Sequence, residues 1–262
     1  MGTAVTTPPL QRQPPATVRS RLLSFAAAKQ VLLIVAFLLL YKVVIVLAGD
    51  DVRGAALRNS GRVIDAERAL GIFNEADVQR FIVDYAEFTI RPFNIYYGSV
   101  HFAFTAIMLI WLFLRREHAY RAWRNLLATI STISLLGYWL TPVAPPRMFD
   151  GSTVELPNFG FVDTMASYPG VWSYKTGAAE TLANQYAAMP SLHTGWAMWC
   201  GLVLFTMSRR HWQRVLALAH PTITVLGIVI TGNHFWLDAV GSFAVIAVAI
   251  AVCLPHLRRS VR

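Results

Sequence analysis

Charge is scarce in this sequence. Asp, Glu, Lys and Arg make up 14% of its 262 residues against 55% hydrophobic, and the mean hydropathy is +0.47. So little charge excludes an ordinary soluble domain and points to apolar runs that cross a bilayer. Cysteine is scarcer still: Cys200 and Cys253 both fall inside apolar runs, which excludes a disulfide framework and a CxxC metal site. Neither HExxH nor GxSxG occurs, so the common zinc-protease and serine-hydrolase signatures are missing. No internal repeat is found. The net charge of +9 is not gathered into one patch. Its arginines stand in short clusters between apolar runs, which argues for membrane topology and against nucleic acid.

The apolar runs give the organisation. Residues 1–29 form a basic, Pro-rich tail, with Pro8, Pro9, Pro14 and Pro15 among Arg12, Arg19, Arg21 and Lys29. Val31–Ala48 is a first span, read as a retained anchor, and residues 49–93 after it form an amphipathic region of short helices lying on the membrane surface. Further spans are expected at Ile95–Leu114, Leu126–Leu140, Ser191–Met207, Val215–Thr231 and from about His234 to Leu254. A Pro-, Gly- and aromatic-rich loop runs from Thr141 to Met189. The expected fold is all-α, a polytopic bundle of about six transmembrane helices with interfacial helices in the outer loops. Its parts are a tail (1–29), a first helix with interfacial region (30–93), a transmembrane core (94–254) and a basic C-terminus (255–262).

Basic residues set the orientation. The tail, the loop with Arg115, Arg116, Arg121 and Arg124, the loop with Arg209, Arg210 and Arg214, and the C-terminus with Arg258, Arg259 and Arg262 alternate as four cytoplasmic segments. Both termini are then cytoplasmic, and all acidic residues but Glu117 fall on the opposite side. His118, His211, His220 and His256 go to cytoplasmic loops or helix ends, where interfacial roles suffice. His101, His193 and His234 fall at the outer ends of their helices. Asp238 follows His234 by four residues, a spacing that puts both on one helix face. Pro190 is expected in the first helical turn of the run that follows it.

Three imidazoles, a carboxylate and the guanidinium of Arg147 are thus expected on one outer surface. That set suits phosphoryl transfer without a metal. Arg147 and the amides of Ser191 to His193 would hold phosphate oxygens, one histidine would attack phosphorus and another would protonate the leaving oxygen. Taken singly, each residue has a plainer reading. A histidine at an interface is usually only polar, an aspartate at a helix start complements the dipole, and Asn94, Tyr97 and His101 at helical spacing suit packing between helices. Their convergence on one side carries the argument.

At these residues the sequence resembles the type 2 phosphatidic acid phosphatase superfamily, and within it the branch containing inositol phosphorylceramide synthases. Pro190-Ser191-Leu192-His193 resembles the PSGH-type motif, and His234-Phe235-Trp236-Leu237-Asp238 resembles the closing HxxxD. Thr231-Gly232-Asn233, Asn94-x-x-Tyr97-x-x-x-His101 and Pro142-Val143-Ala144-Pro145-Pro146-Arg147 are similar to the synthase branch. The resemblance implies a six-helix core. It implies His234 as nucleophile forming a phosphohistidine, Asp238 as its orienting partner and His193 as general acid and then base. Phosphate would lie against Arg147, Ser191 and His101, and the substrate against Asn94, Tyr97, Asn233 and Lys175. The sequence departs from the larger family where its KxxxxxxRP motif keeps Arg91-Pro92 but has Asp84 at the lysine, and where Leu192 replaces the glycine of PSGH. Gly227-Ile228 stand where Ser-Arg opens the third motif.

The expectation is an integral enzyme of the cell membrane, without cofactor or metal. It would transfer or hydrolyse a phosphoryl or phospho-head group of a lipid at the extracytoplasmic face. Its partners are the bilayer, a lipid phosphate or phospholipid, and water or a polyol or sugar acceptor, with no nucleic acid. A transporter or flippase for an anionic substrate and an inactive scaffold of the same fold are the competing readings. Lys42 and His220 are the obvious ionisable groups deeper in the bundle that transport would use.

Overall fold

Glycine and proline break helices, and between Glu75 and Gly137 the chain holds only Pro92 and Gly98. The computed structural model, which describes residues 25–47, 51–151, 157–170 and 184–261, shows the consequence. A helical run of 41 residues extends from Glu75 to Arg115. It is made of α3 (Glu75–Ala86), a 3-10 turn (Glu87–Thr89), α4 (Ile90–Ile95), a π-helical turn (Tyr96–Val100) and α5 (His101–Arg115). After Arg116 alone, α6 (Glu117–Leu140) begins, so the basic segment expected as a loop is the first part of a helix.

Before this run lie α1 (Phe25–Leu47), 23 residues and apolar, and α2 (Val52–Leu70). Beyond it come a helical turn α7 (Thr164–Ser167), α8 (Leu192–Met207), α9 (His211–Ile230) and α10 (Trp236–Val261). Among the described residues there is no strand, only one backbone bridge between Val143 and Ala187. The segment 75–115, α9 and α10 are long and apolar enough to cross a membrane, and α8 is a shorter apolar helix. The chain up to Leu39 forms one unit and the remainder, from Leu40, another.

Within the second unit the core lies among α5, α6, α8 and α10. Leu112, Leu126, Ile130, Trp199, Val203 and Ala249 are buried there, and Trp199 Nε1 donates to the Trp123 carbonyl at 2.8 Å. The same helices expose Ile107, Ile110, Leu136, Leu140, Val240 and Val252 on their outer faces. Apolar on both faces is the pattern of helices in lipid, not of helices in water.

A second cluster caps one end of the bundle. α2 buries Ala56, Ser60, Val63, Ile64 and Glu67, one helical stripe, against Val143, Ala144, Phe149, Phe161 and Phe235. Ser60 ties it to the Thr141–Arg147 segment: its hydroxyl donates to the Ala144 carbonyl at 2.9 Å and accepts from Ala144 N at 2.9 Å. Buried Gln79 of α3 spans three segments, donating to the carbonyls of Val162 and Ile230 and accepting from Val162 N.

Two helix starts differ from expectation. Pro190 precedes the helix: Ser191 is the N-cap of α8, its Oγ accepting from Thr194 N at 3.3 Å. α10 begins at Trp236, so His234 stands before the helix and Asp238 in its first turn. Asp238 Oδ2 caps from within by accepting Phe235 N at 2.9 Å, so the four-residue spacing of the pair is that of a capped turn, not of a helix face.

Candidate active site

The turn between α9 and α10 delivers His234. Gly232 takes φ +67°, a left-handed conformation that glycine adopts without strain. The amides of Gly232, Asn233 and His234 return to the Val229 and Ile228 carbonyls at 2.9, 2.9 and 3.1 Å, and Asn233 Nδ2 donates to Thr231 Oγ1 at 2.7 Å. Arg147 follows Pro145-Pro146 in a 3-10 turn and donates its backbone amide to Gly232 O at 2.8 Å. A Cβ on Gly232 would lie 3.3 Å from Arg147 Cβ, so the missing side chain is what lets the two turns meet. Arg147 is thereby held beside the histidine turn.

The imidazole of His234 is buried. Its Nδ1 lies 2.8 Å from the Ala188 carbonyl oxygen and 3.3 Å from Asp238 Oδ2. Both neighbours are acceptors, so Nδ1 carries the proton and the lone pair sits on Nε2. That tautomer suits a nucleophilic nitrogen backed by a carboxylate.

α8 presents the second histidine. Tyr138 of α6 donates its hydroxyl to Pro190 O at 2.8 Å and accepts from Leu192 N at 3.2 Å, fixing the helix start. Gly137, the residue before Tyr138, has no Cβ to meet Pro190 Cδ, which would lie at 2.7 Å. Ser191 is fully buried and committed: its amide donates to Asp238 O at 3.1 Å, its carbonyl accepts Ser242 Oγ at 2.7 Å, and its own Oγ is the cap. The Ser191 and Leu192 amides expected on phosphate are thus already bonded, and Ser191 fixes α8. His193, half-buried, stacks on Tyr97 at 4.0 Å between ring centroids and 17° between planes, and its ring lies 5.9 Å from that of His234.

The remaining expected residues divide. His101 is fully buried behind His193, ring to ring at 4.9 Å, and neither of its nitrogens has a hydrogen-bond partner. Asn94 lies near the site but donates both amide protons away from it, to Thr164 O at 2.9 Å and Tyr168 O at 2.8 Å, so it holds the α7 loop. Asn233 is buried in its own turn. Lys175 lies outside the described residues. His220, expected near a cytoplasmic helix end, is buried inside α9 with Nδ1 2.6 Å from Tyr96 Oη.

Sequence reasoning missed two carboxyls. Glu67 Oε1 accepts Leu237 N at 2.8 Å and Glu75 Oε1 accepts Trp236 N at 3.1 Å, both fully buried at the start of α10. The signal existed: Glu67 falls on the buried stripe of α2, where a solvated acid does not belong.

An all-helical protein with membrane-crossing helices and a buried His–Asp pair facing a second histidine is, by fold and site, a candidate membrane phosphoryl-transfer protein. Residues 61–252 match the PAP2 superfamily, and the chain belongs to that family, whose members are phosphatases and phosphotransferases. No curated protein and no solved structure gives a significant match.

Proposed function

We propose that this protein transfers or hydrolyses a phosphoryl or phospho-head group of a lipid through a phosphohistidine at His234. The observation that carries the reading is the His234 tautomer: Ala188 O and Asp238 hold Nδ1–H and leave Nε2 as the attacking atom, with His193 across a 5.9 Å gap between ring centroids. Nε2 attacks phosphorus and forms a P–N bond as the P–O bond to the leaving group breaks, and protonated His193 gives its proton to the departing oxygen. Neutral His193 then takes a proton from the acceptor hydroxyl. The acceptor oxygen displaces His234, which restores the starting state. Asp238 offsets the positive charge on the imidazole, and Arg147 supplies a fixed cation for the phosphate oxygens.

Family membership supports a phosphorylated lipid as substrate. The synthase-like motifs at Asn94–His101 and Pro142–Arg147 favour an alcohol acceptor such as a polyol over water alone. The reading takes six spans, α1, 75–115, α6, α8, α9 and α10, and on it both histidines stand at helix ends opposite those that carry Arg115, Arg209 and Arg258. By the charge rule this puts the site on the extracytoplasmic face and both termini in the cytoplasm.

Purified protein in detergent, offered lipid phosphates and phospholipids with and without inositol, tests this reading. Phosphate release or a new head-group lipid that is lost in His234→Ala, with a phosphohistidine trapped in the wild type, is the expected result. Turnover that survives His234→Ala overturns it. Absence of both turnover and a trapped intermediate moves the function to binding or transport.

A further inference from the structure

Three helices meet at the first amides of α10, and each brings a buried acid. Glu67 comes from α2, Glu75 from α3 and Asp238 from α10 itself, and all three are fully buried. They accept the consecutive amides of Leu237, Trp236 and Phe235. Each glutamate uses Oε1 for this and leaves Oε2 buried without a partner if both groups are ionised. Two buried, unsatisfied carboxylate oxygens cost several kcal/mol each, and two adjacent anions cannot both stay charged in a poorly hydrated site. The amides they accept are consecutive, so the two buried carboxyl groups lie side by side. A carboxylate has no donor, so the pair can bond to one another only with a proton on one of them. A single proton satisfies both orphan oxygens at once.

We propose that Glu67 and Glu75 share one proton and, as a carboxylic acid–carboxylate clamp, set the start of α10 so that Asp238 stays aligned with His234. They are positioning residues; neither touches the reacting atoms. A cation site is the other use for three acids, but no group of three or more ligand side chains among the described residues is arranged to hold a metal ion. The charged groups facing Glu67 are Glu75 and Asp238; Arg68, the next residue of α2, lies over the rings of Phe73 and Phe159. Burial first, then the bond to Glu75 and the two neighbouring charges, push the Glu67 carboxyl up to about 9, while Leu237 N pulls it down. The pair thus keeps its proton through the neutral range. Losing it sets three anions against one another at the segment that fixes the nucleophile.

The consequence for turnover rests on the histidine reading above, and the test separates the two. Infrared difference spectra of the intact protein, which need no substrate, should show the carbonyl band of a protonated carboxylic acid at neutral pH. That band should titrate near pH 9 and be missing in Glu67→Gln. Glu67→Ala should lower kcat about 100-fold with KM little changed. Glu67→Gln, whose amide still donates to Glu75 and still accepts from Leu237 N, should restore most of that loss and extend activity to higher pH. Should Glu67→Ala not fold, the Gln variant and the spectra decide alone. A wild type without the band, a band that persists in Glu67→Gln, or full activity in Glu67→Ala overturns the clamp. None of these outcomes bears on whether turnover depends on His234.

Discussion

The ring of Tyr97 lies face to face with that of His193, 4.0 Å between centroids and 17° between planes. Tyr97 sits in the π-helical turn Tyr96–Val100, a local underwinding that widens the helix at this level. The stack fixes the plane of an imidazole whose task, in the proposed reaction, is to pass a proton to a defined oxygen. Tyr97→Ala should therefore lower kcat by about 10-fold or more, with Tyr97→Phe well above it, since the face contact is worth about 1 kcal/mol and survives in Phe. Single-turnover formation and decay of the phosphoenzyme measure this directly.

Asp238→Asn keeps the size of the side chain and changes what faces His234. Asp238 Oδ2 is the one atom that faces both Phe235 N and His234 Nδ1, so an Asn carbonyl in its place keeps both contacts but removes the negative charge that offsets a positive imidazole. Activity should fall about 10²- to 10⁴-fold, with phosphohistidine no longer trapped. An Asn variant as active as wild type would remove Asp238 from the mechanism.

Activity should be bell-shaped in pH, because one histidine must be neutral to attack while the other is protonated to donate. Rates measured from pH 5 to 9 on one lipid substrate test this, and a flat profile counts against the two-histidine scheme.

Stability carries its own pH signature. The folded Glu67 carboxyl is raised from 4.5 to about 9, so the folded state holds a proton that the unfolded state has released in that window. This contribution is fully present below about pH 4.5 and is lost as pH rises towards 9. The melting temperature in detergent should fall across the window more steeply in wild type than in Glu67→Gln. Parallel curves would exclude the shared proton.

Gly232→Ala should destabilise the protein by about 1–2 kcal/mol from the left-handed backbone alone. Its Cβ would also press on Gln79 Nε2 at 3.0 Å and Arg147 Cβ at 3.3 Å. The same change should reduce activity by separating Arg147 from the His234 turn, read as a rise in KM for the lipid phosphate.

The helices of the bundle were readable because apolar composition and the spacing of Gly and Pro govern them directly. α8 and α9 lie within a few residues of the apolar runs that predict them, and α10 continues past Leu254 to Val261. The segment Arg115–Asn125 was read as a loop because its arginines mark a cytoplasmic face, yet arginine is a good helix former and no breaker interrupts it. The family was legible in Pro190–His193 and His234–Asp238. What escaped depends on contacts between distant segments. Nothing local says that Asn94 spends its amide on Thr164 and Tyr168, that His220 packs inward, or that Glu67 and Glu75 converge from separate helices.

Asp238 also binds through its main chain: its carbonyl accepts Ser191 N, while its carboxylate holds the turn of His234. The segments bearing the two histidines are therefore bolted together at one residue, like the jaws of a fixed-gauge tool. A tool of that kind does not adapt its bite to the workpiece. In the proposed reaction, variation in the surrounding loops would change which head group or acceptor reaches the histidines, while the spacing between them stays constant.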